Sequence, residues 1–112
     1  MSFSISTSAG FDKELKRLSK KYPSMKIDYA GLLDELEINP RLGAPIGKDS
    51  YKVRLQITSK GKGKSGGARV ITHLIVNIEN ETLYLLKIYD KSEQETISDA
   101  ELKALLASIQ RW

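Results

Sequence analysis

The sequence predicts an α+β fold with a small sheet of about four strands, two N-terminal helices and one C-terminal helix. Apolar residues between positions 11 and 36 recur at helical spacing, which predicts the first two helices. Three segments within residues 52–89 alternate or run apolar as strands do, and a helix-capping pattern follows at 98–101. The 112 residues show no repeat and no linker, so we expect one domain, residues 1–112.

A short strand and a helix come first. Phe3 and Ile5 alternate with serines, which predicts a strand at the N-terminus. Ser8 or Gly10 is then positioned to cap a helix, and Pro23 ends that helix. One apolar stripe runs along the helix and consists of Phe11, Leu15, Leu18 and Tyr22.

A second helix is predicted from about Met25 to Leu36, stopped by Asn39-Pro40. Its apolar face is formed by Tyr29, Leu32, Leu33 and Leu36. Residues 41–49 include two glycines and a proline, so we expect an extended loop there.

Three strands and a final helix complete the predicted fold. Residues 52–57 alternate between polar and apolar side chains, which predicts a strand with one buried face. The strand Arg69–Ile78 is apolar on both faces, as a central strand is. A turn at Glu79–Glu81 leads into the antiparallel strand Leu83–Tyr89. The last helix begins at Ser98, and its core face is Leu102, Leu105, Leu106 and Ile109.

Basic charge is concentrated in one part of the chain. Between Lys48 and Val76, seven basic residues stand against one acid, a charge of +6, whereas the whole chain carries +4. Everything outside this window therefore sums to −2. A local cationic patch of this kind is typical of proteins that bind polyanions.

The composition excludes other kinds of site. There is no cysteine, which excludes disulfides and thiolate chemistry and fits a reducing cytoplasm. The single histidine, His73, argues against a histidine-built metal site, so we expect no metal and no cofactor. The N-terminus lacks a signal-peptide pattern and no segment has the ~18 apolar residues of a membrane span, so we expect no membrane association.

Cations on the polar faces of the predicted strands form the candidate site. Lys52 and Arg54 share one face of a strand, and Arg69 opens the central strand. The last strand carries Lys87, Tyr89 and Lys91 on one face. If these faces coincide, the group suits a nucleic acid. Arginine can donate two hydrogen bonds to one phosphate, lysine adds positive charge, and tyrosine can stack on a base or form a hydrogen bond. Such a group could stabilise a phosphoryl transition state, and a lysine crowded by cations could serve as a general base.

The loop Ser59–Gly67 allows two interpretations. Its Lys60, Lys62 and Lys64 alternate with glycines, a spacing that suits contact with an RNA backbone. A flexible hairpin tip with solubilising lysines would have the same composition. The loop does not match the phosphate loop of nucleotide hydrolases, because Gly61 and Gly66 are not followed by the Lys-Ser/Thr pair that this pattern requires. His73, in the middle of a strand, likewise fits either a hydrogen-bonded structural histidine or a contact to RNA.

Three runs stand in order before a capped helix: Tyr51–Arg54, Ser65–Ile71 and Leu85–Glu93. With the order of the predicted elements, they give the chain a resemblance to the RelE/ParE superfamily of bacterial type II toxin–antitoxin toxins, closest to the RelE/HigB-like branches. The resemblance covers roughly Phe3 to Leu106 and implies a twisted, mainly antiparallel sheet. It also implies a ribosome-dependent endonuclease that cuts messenger RNA by 2′-hydroxyl attack without a metal, held inactive by a cognate antitoxin.

The resemblance also implies roles for individual residues. Lys52 and Arg54 match two cations of the family's second strand, the first as general base, and Arg69 matches the arginine that stabilises the transition-state phosphate. Ser92 stands where RelE has the arginine proposed as general acid, and Tyr89 with Lys91 could take that role, as in HigB-like relatives. The expected contacts to RNA or the ribosome are Lys60, Lys62, Lys64, His73 and Lys87.

Two alternatives stay open. A ParE-like inhibitor of DNA gyrase would share the fold without RNA chemistry. Four cations argue against it: Lys52, Arg54, Arg69 and Lys91. A non-catalytic RelE-like binding protein would explain the absence of a clear general acid. A cognate antitoxin is expected for both toxin readings and would cover the sheet face and the last helix.

Overall fold

A five-stranded sheet with helices on both faces organises the chain, in a computed structural model that describes residues 2–109. The helices are α1 (Ala9–Lys21), α2 (Met25–Ile38) and α3 (Asp99–Ile109). The strands are β1 (Ser2–Thr7), β2 (Ala44–Gly47), β3 (Ser50–Leu55), β4 (Ala68–Val76) and β5 (Asn80–Asp90). The predicted α+β class is confirmed, and the sheet has one strand more than the four predicted.

The strands lie in the order β1-β5-β4-β3-β2, and the sheet is mixed. β1 runs parallel to β5, whereas the other neighbouring pairs are antiparallel. Parallel pairing needs a long connection, and the two helices and three strands between β1 and β5 provide it. The sheet is therefore mainly antiparallel, with its one parallel pair at an edge.

The additional strand, β2, lies within residues 41–49, where an extended loop was predicted. That prediction was wrong for Ala44–Gly47, because a tight turn folds these residues back onto β3. Three consecutive residues form the turn in left-handed conformation: Gly47 (φ 91°), Lys48 (φ 55°) and Asp49 (φ 57°). Lysine rarely adopts this conformation, so Lys48 gave no indication of a tight turn at this position.

The turn between β4 and β5 lies at residues 77–79, earlier than the predicted Glu79–Glu81. The Asn77 side-chain oxygen accepts hydrogen bonds from the backbone N–H groups of Glu79 (3.0 Å) and Asn80 (2.9 Å). An asparagine side chain that bonds the backbone in this way starts a turn. Ile78 was predicted to end a strand, but it lies in this turn and is 95% exposed.

α1 and α2 pack on one face of the sheet. Ser8 caps α1, since its hydroxyl accepts a hydrogen bond of 3.0 Å from the Phe11 N–H. The predicted apolar face of residues 53–57 turns toward these helices, as expected from its alternation. The core between helices and sheet includes Phe11, Leu18, Met25, Leu32, Leu36, Val53, Leu55, Ile57, Val70, Leu85 and Ile88.

α3 packs on the opposite face, a placement that the sequence pattern left open. Ser98 caps this helix as predicted, its hydroxyl accepting from the Glu101 N–H at 3.1 Å. A second apolar cluster joins α3 to the sheet and contains Ile71, Leu86, Tyr89, Leu102, Leu106 and Ile109. Within residues 2–109, no helix combines the length and apolarity needed to cross a membrane.

Gly43 sits just before β2, where a side chain has no room. Its φ is 100°, and a Cβ atom would lie 2.6 Å from the Lys52 carbonyl oxygen. We predict that Gly43→Ala lowers the free energy of unfolding by about 1–3 kcal/mol in urea denaturation, because the backbone must shift.

Gly31→Ala is the matched control for this prediction. Gly31 lies in α2 with open space around it, so alanine should raise the free energy of unfolding by about 0.5–1 kcal/mol. Stabilisation by Gly43→Ala would contradict the close contact between Gly43 and β3.

Candidate functional site

Strand register brings the predicted site cations onto one face of the sheet. Arg54 of β3 lies opposite Arg69 of β4, and Arg69 lies opposite Tyr89 of β5. In the neighbouring row, Lys52 and Lys87 flank Ile71. Cross-strand partners share a face, so these side chains are neighbours. We call this group the cationic face: Lys52, Arg54, Arg69, Lys87 and Tyr89.

Arg69 is the buried centre of the cationic face, with 3% of its surface exposed. Its Nη1 donates to the carbonyl oxygens of Lys64 and Ala68, both at 3.0 Å, and its Nη2 donates to that of Ser65 at 3.1 Å. Burial lowers the pKa of Arg69, and Arg54 lowers it further, yet a guanidinium stays charged at any physiological pH. The carbonyls fix the group without cancelling its charge.

Two of the five guanidinium hydrogens of Arg69 remain without an acceptor among residues 2–109. The carbonyls of Lys64, Ala68 and Ser65 take three, which leaves the Nε hydrogen and one on Nη2. A phosphate can accept two parallel hydrogen bonds from an arginine. Arg69 is therefore preorganised and still able to bind an anion.

The glycine-rich loop holds these carbonyls in place through close packing at its end. At Gly67, a Cβ atom would lie 2.2 Å from the Leu55 carbonyl oxygen, so only glycine fits there. The Gly67 carbonyl also accepts a hydrogen bond of 3.0 Å from the Lys91 N–H. The loop that was predicted as an RNA-docking or flexible segment thus has a packed end that positions Arg69.

Lys60 anchors the start of this loop on the other face of the sheet. Its Nζ bonds the Asp90 carboxylate at 2.6 Å, with 11% of the lysine side chain and none of the aspartate side chain exposed. The Tyr22 hydroxyl and Ser92 also donate to Asp90. Burial acts to raise the pKa of Asp90, but the bonds from Lys60, Tyr22 and Ser92 outweigh it and hold that pKa well below its usual range. The structure therefore places Lys60 in an internal ion pair, away from the cationic face.

Tyr89 and Lys87 lie where α3 covers the cationic face. Lys87 forms an ion pair with Glu101 of α3, and its Nζ lies 5.9 Å from the centre of the Tyr89 ring. Tyr89 is 3% exposed, and its buried hydroxyl has no hydrogen-bond partner among the described residues. Burial raises the pKa of Tyr89, so the hydroxyl keeps its proton at neutral pH and can donate it. A buried hydroxyl without a partner is costly, and such groups call for an explanation.

Arg54 is the exposed arginine of the cationic face, and it lies beside α2, the helix on the other face of the sheet. Two adjoining hollows of about 230 and 350 Å³ lie between α2 and β3; both are lined by Glu35, Arg54 and Lys64, and Lys52 lines the larger one. Arg54, Lys62 and Lys64 are exposed, Lys52 and Lys91 are half-buried, and none of these five has a carboxylate partner among residues 2–109. These cations are free to meet an anionic ligand from solvent.

His73 lies on the same side of the sheet but in the packed interior. It is 8% exposed, and its Nδ1 lies 3.1 Å from the Ser50 hydroxyl. Burial lowers the pKa of His73, while the nearby Asp49 carboxylate and backbone bonds to Lys48 and Asp49 act in the opposite direction. Its surroundings are those of the structural histidine that the sequence left as one option, and RNA contact stays a prediction without support from its position.

Two contributors to the site were missed in the sequence. Glu101 was noted only as part of a helix cap, yet it also neutralises Lys87 and accepts a hydrogen bond of 3.2 Å from Gln94. The main-chain carbonyls of Lys64 and Ser65 hold Arg69, and a carbonyl leaves no residue-type signal. A carboxylate in the first turn of a helix that follows a basic strand was the one available hint for Glu101.

The function has to follow from these residues themselves. Within residues 2–109, no group of three or more histidine, aspartate or glutamate side chains is arranged to hold a metal ion. A comparison of the chain with protein-family models finds no match. What the site offers is a preorganised arginine, free cations beside it and a protonated tyrosine.

The Lys60–Asp90 pair makes a prediction about stability and pH. Because the folded-state pKa of Asp90 is depressed, its contribution to stability is present above about pH 4 and is lost as pH falls below that value. We predict that Asp90→Asn lowers the free energy of unfolding by about 3 kcal/mol at pH 7, since Lys60 loses its buried partner. Urea denaturation from pH 7 to pH 3 should show a shallower acid decline for the variant.

Glu93→Gln is the control for Asp90→Asn. Glu93 is an exposed carboxylate that pairs with Arg17 and Lys21, so its replacement should have little effect on stability at pH 7. Equal decreases in the free energy of unfolding for the two variants would contradict the stabilising role of the buried Lys60–Asp90 pair.

Proposed function

We propose that this chain is the toxin of a type II toxin–antitoxin system, an endoribonuclease that cuts ribosome-bound messenger RNA without a metal ion. Its partners under this proposal are messenger RNA, the ribosome and a cognate antitoxin, and its place is the cytoplasm. The observation that carries the proposal is the row Arg54–Arg69–Tyr89. Like charges opposite each other in a sheet are unfavourable, so this row points to an anionic ligand.

The proposed reaction uses the 2′-hydroxyl of the RNA as the nucleophile. Its oxygen bonds to the adjacent phosphorus, the bond from phosphorus to the 5′ oxygen breaks, and a 2′,3′-cyclic phosphate and a 5′-hydroxyl result. Lys52 would take the proton from the 2′-hydroxyl. Arg69 and Arg54 would stabilise the negative charge on the phosphate oxygens, and the Arg69 guanidinium is held in place before the reaction begins.

The departing 5′ oxygen needs a proton, and two groups are candidates to supply it. Tyr89 is protonated, buried and beside Arg69, and its hydroxyl lacks another partner among residues 2–109. Lys91 follows the end of β5 and is half-buried. The unpaired hydroxyl favours Tyr89, since a bond to the leaving oxygen would satisfy it, but α3 must move aside before RNA can reach this buried group.

An antitoxin would act by covering the cationic face and α3. The exposed cations around Arg54 give an acidic segment charges to pair with, and α3 already places one carboxylate, Glu101, on Lys87. A protein that neutralised the remaining cations would block the phosphate from Arg69. Inhibition by charge neutralisation needs no change in the fold.

Expression in bacteria separates an RNA-cutting toxin from a gyrase inhibitor and from a non-catalytic binding protein. Expression of the wild-type chain alone in growing bacteria should stop growth and produce cleaved messages. Arg54→Ala should reduce cleavage about a hundredfold or more, since one phosphate contact is lost, while the exposed position leaves folding intact. Arg41→Ala, an exposed arginine outside the cationic face, should behave as wild type.

Other outcomes of this experiment would support the alternatives. Growth arrest with intact messages and inhibited supercoiling by purified gyrase would favour a ParE-like gyrase inhibitor. Ribosome binding without cleavage or growth arrest would favour a non-catalytic relative.

Tyr89→Phe should have opposite effects on stability and activity. Removal of an unpaired buried hydroxyl should raise the free energy of unfolding by about 1 kcal/mol in urea denaturation. Loss of the acid should slow RNA cleavage by at least about a hundredfold. Lower stability would show that the hydroxyl has a partner, and unchanged cleavage would leave Lys91 as the acid.

A further inference from the structure

A second set of cations lies on the helical layer, across the sheet from the cationic face. Its members are exposed lysines of α1 and α2 that have no carboxylate partner among residues 2–109. They are Lys13, Lys16 and Lys20 on the outer surface of α1 and Lys26 on α2. We call them the helical cation surface.

Carboxylates neutralise only one flank of α1. There, Arg17 bonds both Glu14 and Glu93, and Lys21 bonds Glu93 at 3.2 Å. On the outer surface of the same helix, no carboxylate of residues 2–109 pairs with Lys13, Lys16 or Lys20. Ion pairing within the fold therefore explains the cations of the first flank and leaves those of the second without a partner.

Helix electrostatics accounts for Lys20 but not for Lys26. A cation is favourable in the last turn of a helix, which suits Lys20 at the end of α1. Lys26 lies in the first turn of α2, where the helix dipole disfavours positive charge. Its position therefore costs a little stability instead of adding to it.

A hollow of about 400 Å³ runs between these lysines. It is lined by one apolar side chain, one acid, one serine and three lysines: Leu15, Asp12, Ser19, Lys16, Lys20 and Lys26. Three lysines along one hollow can each meet a phosphate of a sugar-phosphate backbone. A membrane surface would instead need a broad exposed apolar face, whereas the stripe of α1 is directed into the core.

We propose that the helical cation surface binds the phosphate backbone of double-helical RNA, separately from the cationic face. The choice of RNA over other polyanions rests on the proposed function. With cations on both sides of one sheet, the protein would lie between two RNA segments, a substrate strand on one side and a structured RNA on the other. Two linked contacts bind more tightly than either alone, so even a weak second surface would favour substrates held next to folded RNA.

The test is fluorescence anisotropy with a labelled RNA hairpin whose riboses carry 2′-O-methyl groups, so that it cannot be cut. Lys16→Gln combined with Lys26→Gln should weaken binding roughly tenfold and reduce the slope of log K against log salt by about 1.8, for two lost phosphate contacts. Lys48→Gln combined with Lys103→Gln removes the same charge from exposed sites elsewhere and should change the affinity little.

Three outcomes would overturn the proposal: equal losses for the two double variants, no binding of the hairpin by the wild-type chain, or capture of a polyglutamate peptide in place of the hairpin. Failure here is distinguishable from failure of the proposed function. Message cleavage with unaltered hairpin binding by Lys16→Gln with Lys26→Gln would defeat only this inference. Lysine-dependent hairpin binding by a chain that cuts no message would defeat only the endonuclease.

Discussion

The hydrogen bonds that Arg69 donates to main-chain carbonyls are the interaction on which the rest of the site depends. The carbonyls of Lys64, Ser65 and Ala68 hold the guanidinium in the interior, and none of them carries a charge. A carboxylate in their place would satisfy the same donors but would cancel the positive charge. Burial without neutralisation keeps the arginine both fixed and attractive to an anion, which is what catalysis by preorganised electrostatics requires.

Several other features of the fold hold these carbonyls in position. Gly67 allows the loop to pass within contact distance of the Leu55 carbonyl, and the buried Lys60–Asp90 pair ties the other end of the loop beneath the sheet. Two features of the cationic face lower the stability of the fold: the unpaired hydroxyl of Tyr89 and the like charges of Arg54 and Arg69 opposite each other. Proteins keep such costs mainly at functional sites, where a ligand removes them.

Residue periodicity predicted the four main strands, the three helices and the side to which Lys52 and Arg54 point, because burial of one face sets that pattern. The sequence predicted a shared site only if the cation-bearing faces of β3, β4 and β5 coincide, and the strand register shows that they do. Sequence could not place Lys60, since its partner Asp90 is distant in the chain and either could have been solvated. β2 was not predicted because the turn before β3 holds Lys48 in a left-handed conformation that lysine rarely adopts.

The central claim is that the cationic face promotes attack of an RNA 2′-hydroxyl on the adjacent phosphate. The most direct measurement incubates the purified chain with ribosomes carrying a defined message and identifies the ends of the products. The account predicts a 2′,3′-cyclic phosphate and a 5′-hydroxyl at one position, and no cut when that position carries a single 2′-deoxyribose. Cleavage of the deoxy-substituted message, or products with a 5′-phosphate, would contradict it.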